Sequence, residues 1–121
     1  MPSPSQQLGQ EGENRALTML LAAGTKLISR NFRCRSGEID LIVLDDESLV
    51  FVEVRQRAHN RQGDAAASVN TRKQQRLIRA AQYFLLRNPR LGLRPCRFDV
   101  IAIDGDAAPN WIRDAFRVPS P

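Results

Sequence analysis

Two stretches of the chain are apolar enough to form core strands, and acids interrupt both. In "GEIDLIVLD", residues 37 to 45, Ile39, Leu41, Ile42, Val43 and Leu44 surround Asp40, and Glu38 stands just before them. In "SLVFVEVRQR", residues 48 to 57, Leu49, Val50, Phe51, Val52 and Val54 surround Glu53. Apolar runs of this length, bounded by turn residues, predict strands over 38–44 and 49–55, with "DDES" as the turn between them. "KLISRNFRC", residues 26 to 34, predicts a weaker strand before them. "CRFDVIAI" at 96–103 predicts another after them, and "WIRDAF" at 111–116 a short edge strand.

Helical periodicity occupies the rest. Residues 5 to about 23 carry Glu13, Leu17, Leu20 and Gly24 along one stripe, with Ser5 as the expected cap and Gly24 as the stop. A second helix is predicted from Thr71 to Arg87, capped by Asn70 and ended near Asn88-Pro89. Its apolar stripe is Leu77, Ala81, Phe84 and Leu85, and Arg72, Arg76 and Arg79 lie on another face. Residues 56 to 68 fit neither period and predict a mobile, loosely packed loop. The fold class is therefore α/β in the order α-β-β-β-α-β with a further β allowed, a mixed sheet flanked by two helices. It is expected to be one domain over 1–121, frayed at 1–5 and 119–121.

Side chains alternate faces along a strand, so an even-length loop in the "DDES" hairpin sets the register. Leu44 then faces Leu49, Ile42 faces Phe51, Asp40 faces Glu53, and Glu38 falls opposite Arg55. Like charges directly opposite in a sheet destabilise it by roughly 0.2–1 kcal/mol, and burial adds to that cost. A divalent cation between Asp40 and Glu53 would remove the penalty, since Mg²⁺ takes one or two protein carboxylates and completes its shell with water and phosphate oxygens. The plain alternative is an ion cluster neutralised by Arg55 or another arginine. Glu13 and Lys73 sit at the starts of the two helical stripes, which aims both at the rim of the same core.

Charge sharpens the picture. Residues 54 to 98 hold ten arginines and Lys73 against one acid, Asp64, for a net +10, while the remainder of the chain carries −5. So lopsided a distribution suits a polyanionic partner on one surface, nucleic acid before membrane. No stretch approaches the ~18 consecutive apolar residues of a membrane span, and "MPSPSQQLGQEGEN" lacks the pattern of a signal peptide. A cytoplasmic protein with two free thiols, Cys34 and Cys96, is expected. His59, the sole histidine, lies among polar residues and is given no role.

"GEID", then "FVEVRQR" after a short hairpin, then a helix opening with Lys73 and finally "RFDVIAI" resemble the YraN family of uncharacterised bacterial proteins. That family in turn resembles archaeal Holliday junction resolvases and the PD-(D/E)XK nucleases. The likeness covers Gly9 to about Phe116 and implies a restriction-endonuclease-like core. It also implies a metal-dependent endonuclease acting on DNA, branched or junction DNA among its substrates. Glu13, Asp40 and Glu53 would be the metal-site acids for Mg²⁺ or Mn²⁺, with the Val54 carbonyl as an extra ligand. Arg55 and Lys73 would complete the catalytic group. Gln56 and Arg57 would contact nucleic acid, as would Arg61, Arg72, Arg76 and Arg79.

One departure stands out. Position 55 is Arg where the nuclease motif usually has Lys, and a guanidinium cannot deprotonate to act as a general base. The alternative expectation is therefore a catalytically inactive nucleic-acid-binding module of the same fold, with an adaptor for an acidic protein as a third. DNA is expected before RNA, no membrane is expected, and a homodimer is allowed.

Overall fold

Strand pairing organises the chain around its two most apolar segments. In the computed structural model, which describes residues 3–58 and 63–118 with the side chains of 4–8 outside that description, α1 (Pro4–Ala22) leads into β1 (Lys26–Cys34), β2 (Gly37–Asp45) and β3 (Ser48–Arg57). A short α2 (Asp64–Ala67) and a long α3 (Thr71–Arg87) follow. A 3₁₀ turn at Leu91–Leu93 then leads to β4 (Cys96–Asp104) and β5 (Asn110–Phe116). The described strands form a five-stranded sheet in the order β1-β2-β3-β4-β5. Neighbours are antiparallel except β3 and β4, which run parallel. The expected α/β class and mixed sheet are present.

The helices cover opposite faces. Ala16 and Leu20 of α1 pack on Leu41, Val43, Val50, Val52, Ile101 and Ile103. On the other face Leu77, Ile78, Ala80, Ala81 and Phe84 of α3 pack on Ile39, Ile42, Leu49, Phe51, Phe98 and Val100. Burial on both faces explains why β2, β3 and β4 lack the polar alternation of a one-sided sheet. Each fully buried Leu, Ile or Phe in these layers contributes about 1.5–3 kcal/mol. Phe51 stacks on Phe98 at 5.4 Å between ring centroids, and Phe98 on Phe116 at 4.9 Å, which ties the edge strand β5 into the core.

Local signals set most boundaries. Gly24, at φ +94°, closes α1 as expected: its N–H donates to Leu21 O at 3.0 Å and Thr25 N–H donates to Leu20 O at 3.2 Å. Asn70 caps α3, its Oδ1 accepting from Lys73 N–H at 3.0 Å. The turn after β2 closes on the Asp45–Ser48 pair, so the even-length loop and its register hold from there to Leu41–Val52.

Three expectations are corrected. α1 begins at Pro4, so Ser5 lies inside the first turn and the fray does not reach residue 5; the Ser5 side chain, and residues 1, 2 and 119–121, lie outside the described residues. Residues 56–68 are not a single loose loop. β3 continues to Arg57 in register with Asp104, and α2 docks with Ala65 fully buried. The Asp104 carboxylate holds that turn by accepting from Ala65 N–H at 2.7 Å and Gly63 N–H at 3.1 Å. His59 and Arg61 lie outside the described residues. Third, Glu38 does not face Arg55. It pairs with Arg33 on β1 at 3.4 Å, because the β2–β3 ladder has ended before reaching it.

Candidate active site

β2 and β3 separate at the acids. The last ladder pair is Leu41–Val52, so Val54 N–H has no strand partner on that side. It donates instead to Asp40 Oδ2 at 2.8 Å. On the other flank the β1–β2 ladder passes from Arg30–Leu41 to Phe32–Ile39, over Asn31 and Asp40. Asn31 takes a left-handed backbone, φ +54°. Ile39 and Ile42 both face α3, which strict alternation forbids. The strand is therefore irregular at Asp40, and its carboxylate turns into the gap between strands.

Glu53 follows Phe51 onto the α3 face and is only 5 % exposed. Its carboxyl lies within hydrogen-bonding reach of Asp40, and Lys73, in the first turn of α3, brings Nζ to 3.2 Å from Glu53 Oε2. Burial foremost, then the hydrogen bond and charge of Asp40, push Glu53 up to about 9 against the opposing pull of Lys73. Burial and Asp40 thus favour the protonated carboxyl, while the Lys73 ammonium favours the charged one. Glu13 reaches the same centre from α1, and its carboxyl is held above the ordinary range by burial and then by Asp40. With the Asn31 amide turned to suit its neighbours, Nδ2 donates to Glu13 Oε1 at 2.8 Å and to Glu38 Oε1 at 3.3 Å.

Two clefts meet at this centre. One, of about 350 Å³, runs between α1 and the end of β3 and is lined by Glu13, Val54, Arg55, Gln56 and Arg57. The other, of about 490 Å³, opens between the β1–β2 turn and α3, lined by Arg33, Cys34, Glu38, Arg76 and Leu77. Asp40, Glu53 and Lys73 line both. An apolar groove of about 520 Å³ at the far end of α3 holds neither acid of the pair.

The expected residues thus divide. Glu13, Asp40, Glu53, Val54, Arg55, Gln56, Arg57 and Lys73 come together, and Arg76 lines the second cleft. Arg72 and Arg79 are exposed on α3 and line neither cleft. Arg55 Nε donates to Ser68 Oγ at 2.9 Å, which anchors the guanidinium on the segment after α2. Gln56 is half-buried, with Oε1 sealed against α1 and unpartnered among the described residues. A Cβ at Gly12 would lie 2.5 Å from that oxygen, so α1 crosses β3 closely because position 12 is glycine.

The donor set suits a hard cation of low protein coordination. Among the described residues no group of three His, Cys, Asp or Glu side chains is arranged to hold a metal ion. Asp40 and Glu53 form a pair, and Glu13 engages Asn31. A pair satisfies Mg²⁺, which keeps several waters, but not a cation that needs an all-protein cage.

Sequence reasoning passed over one buried acid, Asp99, which is wholly inaccessible. It accepts from Arg97 Nε at 3.0 Å, Trp111 Nε1 at 2.8 Å and Asp114 N–H at 2.9 Å, and Arg97 also reaches Asp45 at 2.7 Å. The signal was the same one, an acid inside an apolar strand. Here every oxygen is satisfied, and the role is structural.

A model described as "Uncharacterised protein family UPF0102" matches residues 12–103. UPF0102 proteins of Alcanivorax borkumensis and Stutzerimonas stutzeri are 51 % and 52 % identical, covering 89 % and 94 % of this chain and 90 % and 98 % of their own. A UPF0102 protein of Nitrosococcus oceani is 48 % identical, with 98 % of each chain covered.

Proposed function

The chain belongs to the UPF0102 family, and we propose that it is a metal-dependent phosphodiester hydrolase acting on nucleic acid, DNA before RNA, built on a restriction-endonuclease-like core. The observation that carries this reading is the Asp40–Glu53 pair, one member buried so that its carboxyl is pushed toward the protonated form, at the meeting of two clefts with Lys73 beside it. A structural ion pair would have no need of a carboxyl that burial keeps neutral. A site that exchanges a proton for a cation does.

Asp40 and Glu53 would hold Mg²⁺ or Mn²⁺, with the Val54 carbonyl beside them. An extended residue presents N–H and C=O to the same side, so that carbonyl is directed into the gap where Val54 N–H meets Asp40. The cation supplies a bound water of lowered pKa. Lys73 lies within reach of the pair and can stabilise charge developing on a phosphate oxygen. Arg55 and Arg57 line the α1 cleft, where phosphates of the bound strand can be held. Glu13, which accepts a hydrogen bond from Asn31, lines that cleft.

A second reading has its own observation. Arg55 occupies the position of the motif lysine, and its Nε is committed to Ser68, which favours a module that grips nucleic acid without cleaving it. Titration of Mg²⁺ and Mn²⁺ into the protein, with Asp40→Asn as control, tests the cation site. A cleavage assay on branched DNA then separates the two readings. Metal binding unchanged in Asp40→Asn would overturn the first.

A further inference from the structure

The centre has a cleft on each side, and both are flanked by cations. We propose that nucleic acid enters as an unpaired strand threaded through both clefts, one nucleotide lodging between the β1–β2 turn and α3, so that single-stranded segments are preferred to continuous duplex. This rests on the nucleic-acid reading above and specifies its substrate.

Three features of the second cleft point to a nucleotide as its occupant. Its volume, about 490 Å³, lies in the range of small-molecule pockets, about 300–1,000 Å³. Polar side chains dominate its lining, and Leu77 supplies an apolar surface next to them. Its walls are set closely: Gly37, at φ +157°, brings the start of β2 against α3, where a Cβ would lie 3.4 Å from Arg76 O.

Charge order along the two clefts suits a threaded polyanion. Arg33 and Arg76 flank the acids on one side, Arg55 and Arg57 on the other, and Lys73 lies between. A phosphate seated at Asp40 and Glu53 therefore has a basic residue next to each of its neighbours. Glu53 is at the base, 5 % exposed, so a strand must enter one of the two clefts to reach it. A base-paired nucleotide brings its partner strand along. A nucleotide taken out of the stack does not, and enzymes acting at recessed centres use that route. Single-strand binders likewise track the backbone with a positively charged groove.

The test is fluorescence anisotropy in metal-free buffer, where no cleavage consumes the probe. A single-stranded DNA of about 12 nucleotides is compared with the blunt duplex of the same sequence, using the full-length protein and the double variant Arg33→Ala/Arg76→Ala. The expected result is tighter binding of the single strand by about tenfold or more. The double variant should lose that preference, its affinity for the single strand falling several-fold further than its affinity for the duplex. Arg87→Ala, which removes one positive charge from the far end of α3, should retain it. Equal affinity for both probes, or an equal loss of both in the double variant, overturns the threading while leaving nucleic-acid binding intact. Absence of binding to either probe overturns both.

Discussion

Glu53→Gln separates a carboxyl retained for chemistry from one retained for stability. Glu53 ionises near pH 4.5 in the unfolded chain and near 9 in the fold. Between those values the unfolded chain has released a proton that the folded protein keeps. Stability is therefore full below pH 4.5 and declines as pH rises toward 9, by on the order of 1 kcal/mol per pH unit. From pH 5 to pH 8 the loss is about 4 kcal/mol, a large share of the 5–15 kcal/mol that holds a domain together. Glutamine has nearly the same shape, can hydrogen-bond to Asp40 and cannot ionise. Lys73, whose side chain is 34 % exposed, can turn its ammonium to water when its partner is neutral. The melting temperatures of variant and wild type, compared in EDTA, should thus nearly coincide at pH 5. At pH 8 the variant should melt about 12–16 °C higher, at roughly 3–4 °C per kcal/mol for a chain of this length. A difference that stays constant from pH 5 to 8, or a variant less stable throughout, would refute the reasoning and make Glu53 part of a structural ion pair.

Other expectations follow from the same geometry. Asp40→Asn should abolish Mg²⁺ binding in calorimetry yet leave the metal-free melt unchanged or slightly higher, since an amide oxygen still accepts from Val54 N–H; a clear drop would favour a structural role for the acid. If about five arginines contact phosphates, log K for DNA should fall against log salt with a slope near −0.9 per contact, and a flat dependence would point to an acidic protein partner. Gly12→Ala drives a methyl against the Gln56 amide and should cost about 1–3 kcal/mol in chemical denaturation; an unchanged midpoint would show that Gln56 swings aside freely. Asp104→Ala should cost about 1 kcal/mol and raise amide exchange at residues 63–67, whereas unaltered protection there would mean that burial of Ala65 alone fixes α2.

Much of this arrangement was legible in the residues because short-range rules dictate it. Gly24 and Asn70 end and begin helices through their own hydrogen bonds, and "DDES" sets the hairpin register through its length. The convergence of Glu13, Asp40, Glu53 and Lys73 followed from faces and stripes. What was not legible depends on partners distant along the chain. Whether Asp99 or Glu53 is satisfied turns on Trp111 and Arg97 in one case and on Asp40 in the other. Residues 63–68 look featureless because their order is supplied by Asp104, about forty positions later. The break at Asp40 was missed because pairing rules assume regular ladders, and a side chain that substitutes for a strand partner leaves no periodic trace.

The parallel pairing of β3 with β4 has a consequence for how the molecule assembles. β1, β2 and β3 form a meander from neighbouring segments, whose loops are short and close quickly. β3 and β4 can meet only after the chain from 58 to 95, α3 included, has crossed the sheet, so this step pays the larger closure entropy and comes late. Until then Glu53 sits on a meander with its α3 face uncovered, open to water and free to ionise. Docking of α3 is what brings Lys73 to it and closes the second cleft. If the carboxyl takes up its proton as α3 docks, refolding above neutral pH is expected to slow as pH rises while formation of the meander does not, which stopped-flow refolding across that range checks.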